Sequence, residues 1–139
     1  MTNQKTKSCT ECQVVVAHCL DFRIQKTLHA WLDKHFPENY DLISLAGGIK
    51  HLTEDGENHN IELGEFLISA KLHRPKIAVL IQHEDCGAYG GSRAFKGIDK
   101  EVTFQKSQLD KAEEILKKHL PDISIKKLFV YLSGKIIQL

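Results

Sequence analysis

A chain of 139 residues is long enough for one domain with its own hydrophobic core. Apolar residues make up 42% of it and charged residues 27%, and the net charge of +1 gives no electrostatic reason to expect nucleic acid or a membrane as a partner. No apolar run approaches the ~20 residues of a membrane-spanning helix, and residues 1–8 lack the apolar centre of a signal peptide. We therefore expect a cytoplasmic location.

Apolar patterns divide the chain into alternating strands and helices. Residues 1–12 are predicted to be a flexible N-terminal tail, followed by a single α/β domain at 13–139. Continuous apolar runs predict strands at 13–19, 41–45, 76–82, 128–132 and 136–139. Apolar residues at three- and four-residue steps predict helices at 24–36, 61–73 and about 103–119. This alternation is typical of an α/β fold with a mostly parallel sheet, and a turn at 133–135 makes the last strand antiparallel.

Two groups of polar residues follow strands of the predicted sheet. Cys19, Asp21 and Arg23 come at the end of the first strand, and His83 and Cys86 come after the third. Sites in parallel sheets form at the carboxyl ends of the strands, so we expect the two groups to meet. Two thiolates and one imidazole leave tetrahedral zinc one open position, as in catalytic sites. We therefore predict that Cys19, His83 and Cys86 bind one Zn²⁺ ion.

The two groups together resemble the signature of a known family. Cys-x-Asp-x-Arg, followed about sixty residues later by His-x-x-Cys-Gly, resembles the β-class carbonic anhydrases, and among them the small microbial forms. The resemblance implies a three-layer fold with strand order 2-1-3-4, an antiparallel fifth strand and helices on both faces of the sheet. It also implies zinc on the two cysteines and the histidine, a catalytic dyad of Asp21 and Arg23, and a homodimer or dimer-based oligomer.

The residues of the dyad suggest how the chemistry works. If the chain stays extended after the first strand, Cys19, Asp21 and Arg23 project to one side, and Arg23 can form a bidentate pair with Asp21. Asp21 would then accept a hydrogen bond from zinc-bound hydroxide, and Arg23 would hold Asp21 ionised. The backbone N–H groups of Gly47 and Gly48, in the turn after the second strand, are candidates to bind a substrate oxygen. The expected reaction is the reversible hydration of carbon dioxide to bicarbonate.

Two departures from the family pattern leave other substrates open. The turn at 44–48 reads Ser-Leu-Ala-Gly-Gly, where the family commonly has Arg-Asn-Ala-Gly-Asn, and the pair Glu84-Asp85 is more acidic than is usual before the second cysteine. One alternative is a carbonyl sulfide or carbon disulfide hydrolase that uses the same site. Another is a non-catalytic zinc-binding protein whose site Asp21 closes.

The cysteines also allow readings outside this family. Cys9 and Cys12 have Cys-x-x-Cys spacing, which suits a redox pair or half of another metal site. A cysteine phosphatase needs five residues between its cysteine and arginine. Cys19 and Arg23 have three residues between them, which excludes that chemistry at this motif.

Overall fold

Five strands form one central sheet in the computed structural model of the protein, which describes residues 11–139. The strands are β1 Val14–His18, β2 Asp41–Ser44, β3 Ile77–His83, β4 Ser124–Val130 and β5 Ile136–Gln138. Their order across the sheet is β2-β1-β3-β4-β5. β1 to β4 are parallel, and β5 pairs with β4 in the antiparallel direction. The predicted fold class, strand order and C-terminal hairpin are therefore confirmed.

In the described part of the chain, residues 11–139, three α-helices cover the two faces of the sheet. They are α1 Gln25–His35, α2 Glu57–His73 and α3 Ile98–His119. Short 3₁₀ turns lie at Lys50–Thr53, Gly87–Tyr89 and Ser92–Ala94. Buried residues of α1 form one core cluster with the sheet, and buried residues of α2 and α3 form a second cluster. The molecule thus has the three layers that the family resemblance implied.

β1 is buried on both faces of the sheet. Val14 and Val16 pack in the cluster on the α1 side, while Val15 and Ala17 pack in the cluster of α2 and α3. Each of these side chains is at most 1% exposed. Because successive side chains of a strand point to opposite faces, an uninterrupted apolar run requires cover on both sides.

Three elements begin earlier than the apolar pattern predicts. α2 begins at Glu57 and α3 at Ile98, because the first turn of each helix is mostly polar and leaves little apolar periodicity to detect. β4 begins at Ser124. Its charged part includes Lys127, whose Nζ forms ion pairs with two acidic residues of α3, Asp110 and Glu113, at 2.7 and 2.6 Å. Polar contacts with a helix therefore extend the strand beyond its apolar run.

The predicted N-terminal tail lies outside the described residues except for Glu11 and Cys12. Both bond to the end of α2 and its cap, where the backbone N–H of Cys12 donates to the carbonyl oxygen of His73 and the carboxylate of Glu11 pairs with Arg74. Among residues 11–139, no helix combines the length and the apolar character needed to cross a bilayer.

Candidate metal centre

The structure brings the three predicted zinc ligands together at one end of the sheet. Cys19 directly follows β1, His83 ends the neighbouring strand β3, and Cys86 lies in the loop after it. One donor atom from each residue lies within 4.8 Å of the others. The two sulfur atoms are 4.0 Å apart, close to the ~3.8 Å edge of a zinc tetrahedron with 2.3 Å bonds. The adjacency of β1 and β3 thus creates the cluster.

His83 is oriented as a metal ligand. Its Nδ1 lies 2.7 Å from the backbone carbonyl oxygen of Glu84, which accepts only if Nδ1 carries the proton. That tautomer leaves the lone pair on Nε2. Nε2 is fully buried and has no hydrogen-bond partner among residues 11–139. Buried polar atoms rarely lack partners, and a ligating histidine typically bonds a carbonyl through its other nitrogen, so the site fits a zinc ion.

The sulfur atoms lie in an environment that favours ionisation of one thiol before the other. The hydrogen bond with Cys86 lowers the pKa of Cys19, and the backbone N–H of Gly47, 3.3 Å from the Cys19 sulfur, acts in the same direction. The same interaction with Cys19 raises the pKa of Cys86. Two neighbouring thiolates would repel each other. A divalent cation between the two sulfur atoms would offset this repulsion and favour ionisation of both thiols.

Asp21 and Arg23 form the predicted bidentate pair, but in a turn. Arg23 Nη2 donates to Asp21 Oδ2 at 2.7 Å, and Arg23 Nε donates to Oδ1 at 3.1 Å. The chain does not stay extended after β1, because the backbone N–H of Arg23 folds back onto Asp21 Oδ1 at 2.9 Å. Hydrogen bonds from Arg23 lower the pKa of Asp21 to about 2. Asp21 is therefore ionised at neutral pH, with Oδ2 3.9 Å from His83 Nε2.

A second carboxylate, which the sequence reasoning missed, completes the support of Arg23. Arg23 Nη1 donates to Asp85 Oδ2 at 2.9 Å. Asp85 has a left-handed backbone conformation with φ +59°. Its backbone N–H donates to Glu101 Oε2 at 2.6 Å, and Ser92 donates to both carboxylates. In the sequence, only the acidity of the pair Glu84-Asp85 indicated that this loop could bind Arg23. Nothing indicated the role of Glu101, because it lies in a helix turn rich in charged residues.

Gly47 and Gly48 form the turn after β2, where Gly47 lies against the Cys19 sulfur and Gly48 lies against Gln82. The N–H of Gly47 donates to the Cys19 sulfur, and the N–H of Gly48 donates to the carbonyl oxygen of Leu45 at 3.0 Å. Both amides therefore have partners within the chain. The role of the two glycines in binding a substrate oxygen stays a prediction.

An open cleft of about 580 Å³ lies over Cys19 and the dyad. Much of its wall is apolar, and two of its apolar side chains are strongly exposed: Phe22 at 85% and Leu20 at 59%. The full lining is Cys19, Leu20, Asp21, Phe22, Arg23, Ala46, Gly47, Gly87 and Ala88. The cleft thus combines apolar walls with an ionised carboxylate and a cluster of metal-ligand atoms.

Solved structures of other proteins share the fold of this chain. One of two tetrameric β-carbonic anhydrases from Sordaria macrospora superposes with a TM-score of 0.63 at 14% identity, over 99% of this chain and 85% of that one. The apo form of a carbon disulfide hydrolase superposes with a TM-score of 0.54 at 15% identity, over 92% and 78% of the two chains. The protein therefore has the β-carbonic anhydrase fold.

The sequence comparison gives the family. Residues 9–139 match the family described as "Putative carbonic anhydrase", and the chain belongs to that family. An uncharacterized protein of Rickettsia conorii is 27% identical over 145 residues, which span all of this chain and 78% of that protein. The resemblance noted from the two motifs is confirmed.

Proposed function

We propose that the protein is a zinc-dependent carbonic anhydrase that catalyses the reversible hydration of carbon dioxide to bicarbonate. One observation carries the proposal: the donor atoms of Cys19, His83 and Cys86 converge within 4.8 Å, beside an Asp21 carboxylate that Arg23 holds in place. Membership of the family and the β-carbonic anhydrase fold support it.

In this proposal Cys19, His83 and Cys86 hold the ion. Three protein ligands leave a tetrahedral ion one position for solvent. The zinc ion would act as a Lewis acid and lower the pKa of a water bound to it toward neutrality. The two thiolates need a reducing environment to stay available, which favours the cytoplasm.

Asp21 orients the nucleophile. Its Oδ2 is next to the ligand cluster, and the carboxylate is ionised, so it can accept a hydrogen bond from the attacking oxygen and direct a lone pair of that oxygen at the carbon of the substrate. Arg23 occupies both oxygens of Asp21 and so keeps the carboxylate from becoming a further ligand. This favours an enzyme over the alternative of a non-catalytic zinc protein that Asp21 closes.

The apolar walls of the cleft suit a small linear substrate without hydrogen-bond donors. Carbon dioxide has this shape, and so do carbonyl sulfide and carbon disulfide. Hydrolysis of those two is a second candidate function, favoured by the turn beside Cys19, where Leu45 stands in place of the asparagine that is common in the family. Gly47 lines the cleft without a side chain and leaves room for the substrate. With Gly48 it stays our candidate for substrate positioning.

We further propose a homodimer or a dimer-based oligomer. Phe22 and Leu20 are large apolar side chains exposed beside the cleft, and a second copy of the chain would remove them from water. Light scattering coupled to size-exclusion chromatography tests this. The wild type should elute as a dimer or larger species, and Phe22→Ser should shift it toward the monomer.

Stopped-flow hydration of carbon dioxide by the zinc-loaded protein, from neutral to mildly alkaline pH, tests the function. Carbonyl sulfide and carbon disulfide are offered in parallel assays. His83→Ala should lose the activity, whereas His119→Ala, at the exposed end of α3, should keep it. Turnover of the sulfur compounds without carbon dioxide hydration would replace the first candidate with the second, and no turnover of any of the three would leave the non-catalytic alternative.

A further inference from the structure

A second group of metal-ligand side chains lies at the opposite end of β1. Cys12 precedes β1, Asp41 begins the neighbouring strand β2, and His73 ends α2. One donor atom from each residue lies within 4.8 Å of the others. The parallel pairing of β1 with β2 brings Cys12 near Asp41, and the packing of α2 against the edge of the sheet adds His73.

Bonds within the chain hold the three residues in place. The backbone N–H of Cys12 donates to the carbonyl oxygen of His73 at 3.1 Å. His73 Nδ1 lies 2.7 Å from Asp41 Oδ2, and the hydroxyl of Ser69 donates to the same oxygen at 2.7 Å. Asp41 itself pairs in register with Val15 of β1. The cluster is therefore preformed, which lowers the entropy cost of binding an ion.

The donor set is that of zinc. Thiolate, imidazole and carboxylate are the three ligand types that zinc accepts in proteins. The sequence adds an independent signal, because Cys9 stands three residues before Cys12 in the Cys-x-x-Cys spacing of many zinc ligand pairs. Cys9 lies outside the described residues.

The surroundings of Cys12 argue against a reactive redox thiol. Partial burial raises the pKa of the Cys12 thiol, and the charge of Asp41 raises it further. A redox-active cysteine typically has a lowered pKa and cationic neighbours. A divalent cation would instead lower the pKa of the Cys12 thiol, because it attracts both the sulfur of Cys12 and the carboxylate of Asp41.

We propose that Cys12, Asp41 and His73 bind a second zinc ion. Binding would release the Cys12 thiol proton to solvent and form one Zn–S bond. The neutral imidazole of His73 would contribute the lone pair of whichever ring nitrogen carries no proton, and Asp41 a carboxylate oxygen. The ion fastens the segment before β1 to the end of α2. None of these three residues lines the cleft, so the second site can be tested independently of the proposed activity.

Zinc stoichiometry of the full chain tests the proposal. After dialysis, the wild type should retain two zinc ions per chain by mass spectrometry, and His73→Ala should retain one. His119→Ala is the matched control, because it also removes the last histidine of a helix, and it should retain two. His83→Ala removes only the first centre and should retain one, and the double variant His73→Ala/His83→Ala none. One ion in the wild type and none in His83→Ala would overturn the second site and leave the first intact.

Cobalt provides a spectroscopic readout of the same site. We expect Co²⁺ added to His83→Ala to give a thiolate charge-transfer band in the near ultraviolet, and this band should vanish when His73→Ala or Asp41→Asn is added. Zinc should raise the unfolding temperature of His83→Ala but not that of the double variants, with circular dichroism to verify that each is folded. A cobalt band that survives both second substitutions, or a Cys9–Cys12 disulfide in place of bound metal, would contradict the proposal.

Discussion

Arg23 donates hydrogen bonds to Asp85 as well as to Asp21. Its Nη1 lies 2.9 Å from Asp85 Oδ2, and its Nη2 lies 2.9 Å from the Asp85 backbone oxygen and 2.7 Å from Asp21 Oδ2. The guanidinium thus connects the turn after β1 to the loop after β3, the two segments next to the proposed zinc ligands. Because Arg23 is held from both sides, Asp21 is positioned before any substrate arrives.

Asp21→Asn should lower the rate of carbon dioxide hydration by about 10²-fold or more, because the amide cannot replace the carboxylate in orienting the nucleophile. Zinc content should not change, since Asp21 is not part of the ligand cluster. Stopped-flow rates and metal analysis measure the two effects. Asp122→Asn, at an exposed turn, is the control. A variant that keeps the wild-type rate would remove Asp21 from the mechanism.

Asp85→Asn should lower kcat about tenfold and change KM little. The substitution weakens the support of Arg23, and it affects Asp21 only indirectly, through Arg23. Asparagine tolerates the left-handed backbone at this position, and its amide oxygen can still accept from Ser92, but its NH₂ group cannot accept from Arg23. Glu84→Gln is the control, since Glu84 accepts from the backbone N–H of Leu132 instead. Equal kinetics for both variants would show that Asp85 does not position the dyad.

The convergence of Cys19, His83 and Cys86 could be predicted from the sequence because each lies at or near the end of an apolar run. Such runs identify buried parallel strands, and the carboxyl ends of neighbouring strands meet at one edge of the sheet. Cys19 and His83 follow from this rule alone. The neighbouring position of β1 and β3 came from the family resemblance, and the structure confirms it.

Contacts between distant polar residues could not be predicted in the same way. Glu101 lies in a helix turn where charged side chains are ordinarily solvent-exposed, yet it is 1% exposed and bonds the loop of Asp85. Cys12, Asp41 and His73 belong to three elements, and only the packing of α2 on the edge of the sheet brings them together. The turn at Arg23 depends on a side-chain bond to Asp21, which no hydrophobic pattern reports.

Gly48→Ala should destabilise the fold by roughly 1–3 kcal/mol. Gly48 has φ +63°, and a Cβ there would lie 2.1 Å from Gln82 Oε1 and 2.9 Å from the Ile81 backbone oxygen. Urea unfolding measures the free-energy difference. Gly64→Ala is the matched control, because Gly64 lies inside α2 with open space around it, and it should stabilise by about 0.5–1 kcal/mol. A Gly48→Ala variant as stable as Gly64→Ala would contradict the steric argument.

Glu62 makes the stability of the protein depend on pH. Its side chain on α2 is 0% exposed, and neither carboxylate oxygen has a hydrogen-bond partner among residues 11–139. Burial, with a smaller effect from the charge of Glu54, raises the pKa of Glu62 from 4.5 to about 8. Between these two values the unfolded chain has lost the proton and the folded chain still holds it, so the free energy of unfolding should fall as pH rises.

Glu62→Gln removes the titrating group, so the free energy of unfolding of the variant should fall less as pH rises. The variant should resemble the wild type near pH 4 and exceed it by roughly 4 kcal/mol near pH 8. Urea unfolding at several pH values measures both curves, and Glu114→Gln, at an exposed position of α3, controls for the loss of one negative charge. Parallel curves for Glu62→Gln and the wild type would mean that Glu62 is ionised in the folded protein. A buried cation would then have to pair with the carboxylate, or bound water would have to hydrogen-bond to it, because an isolated buried carboxylate is otherwise too costly to maintain.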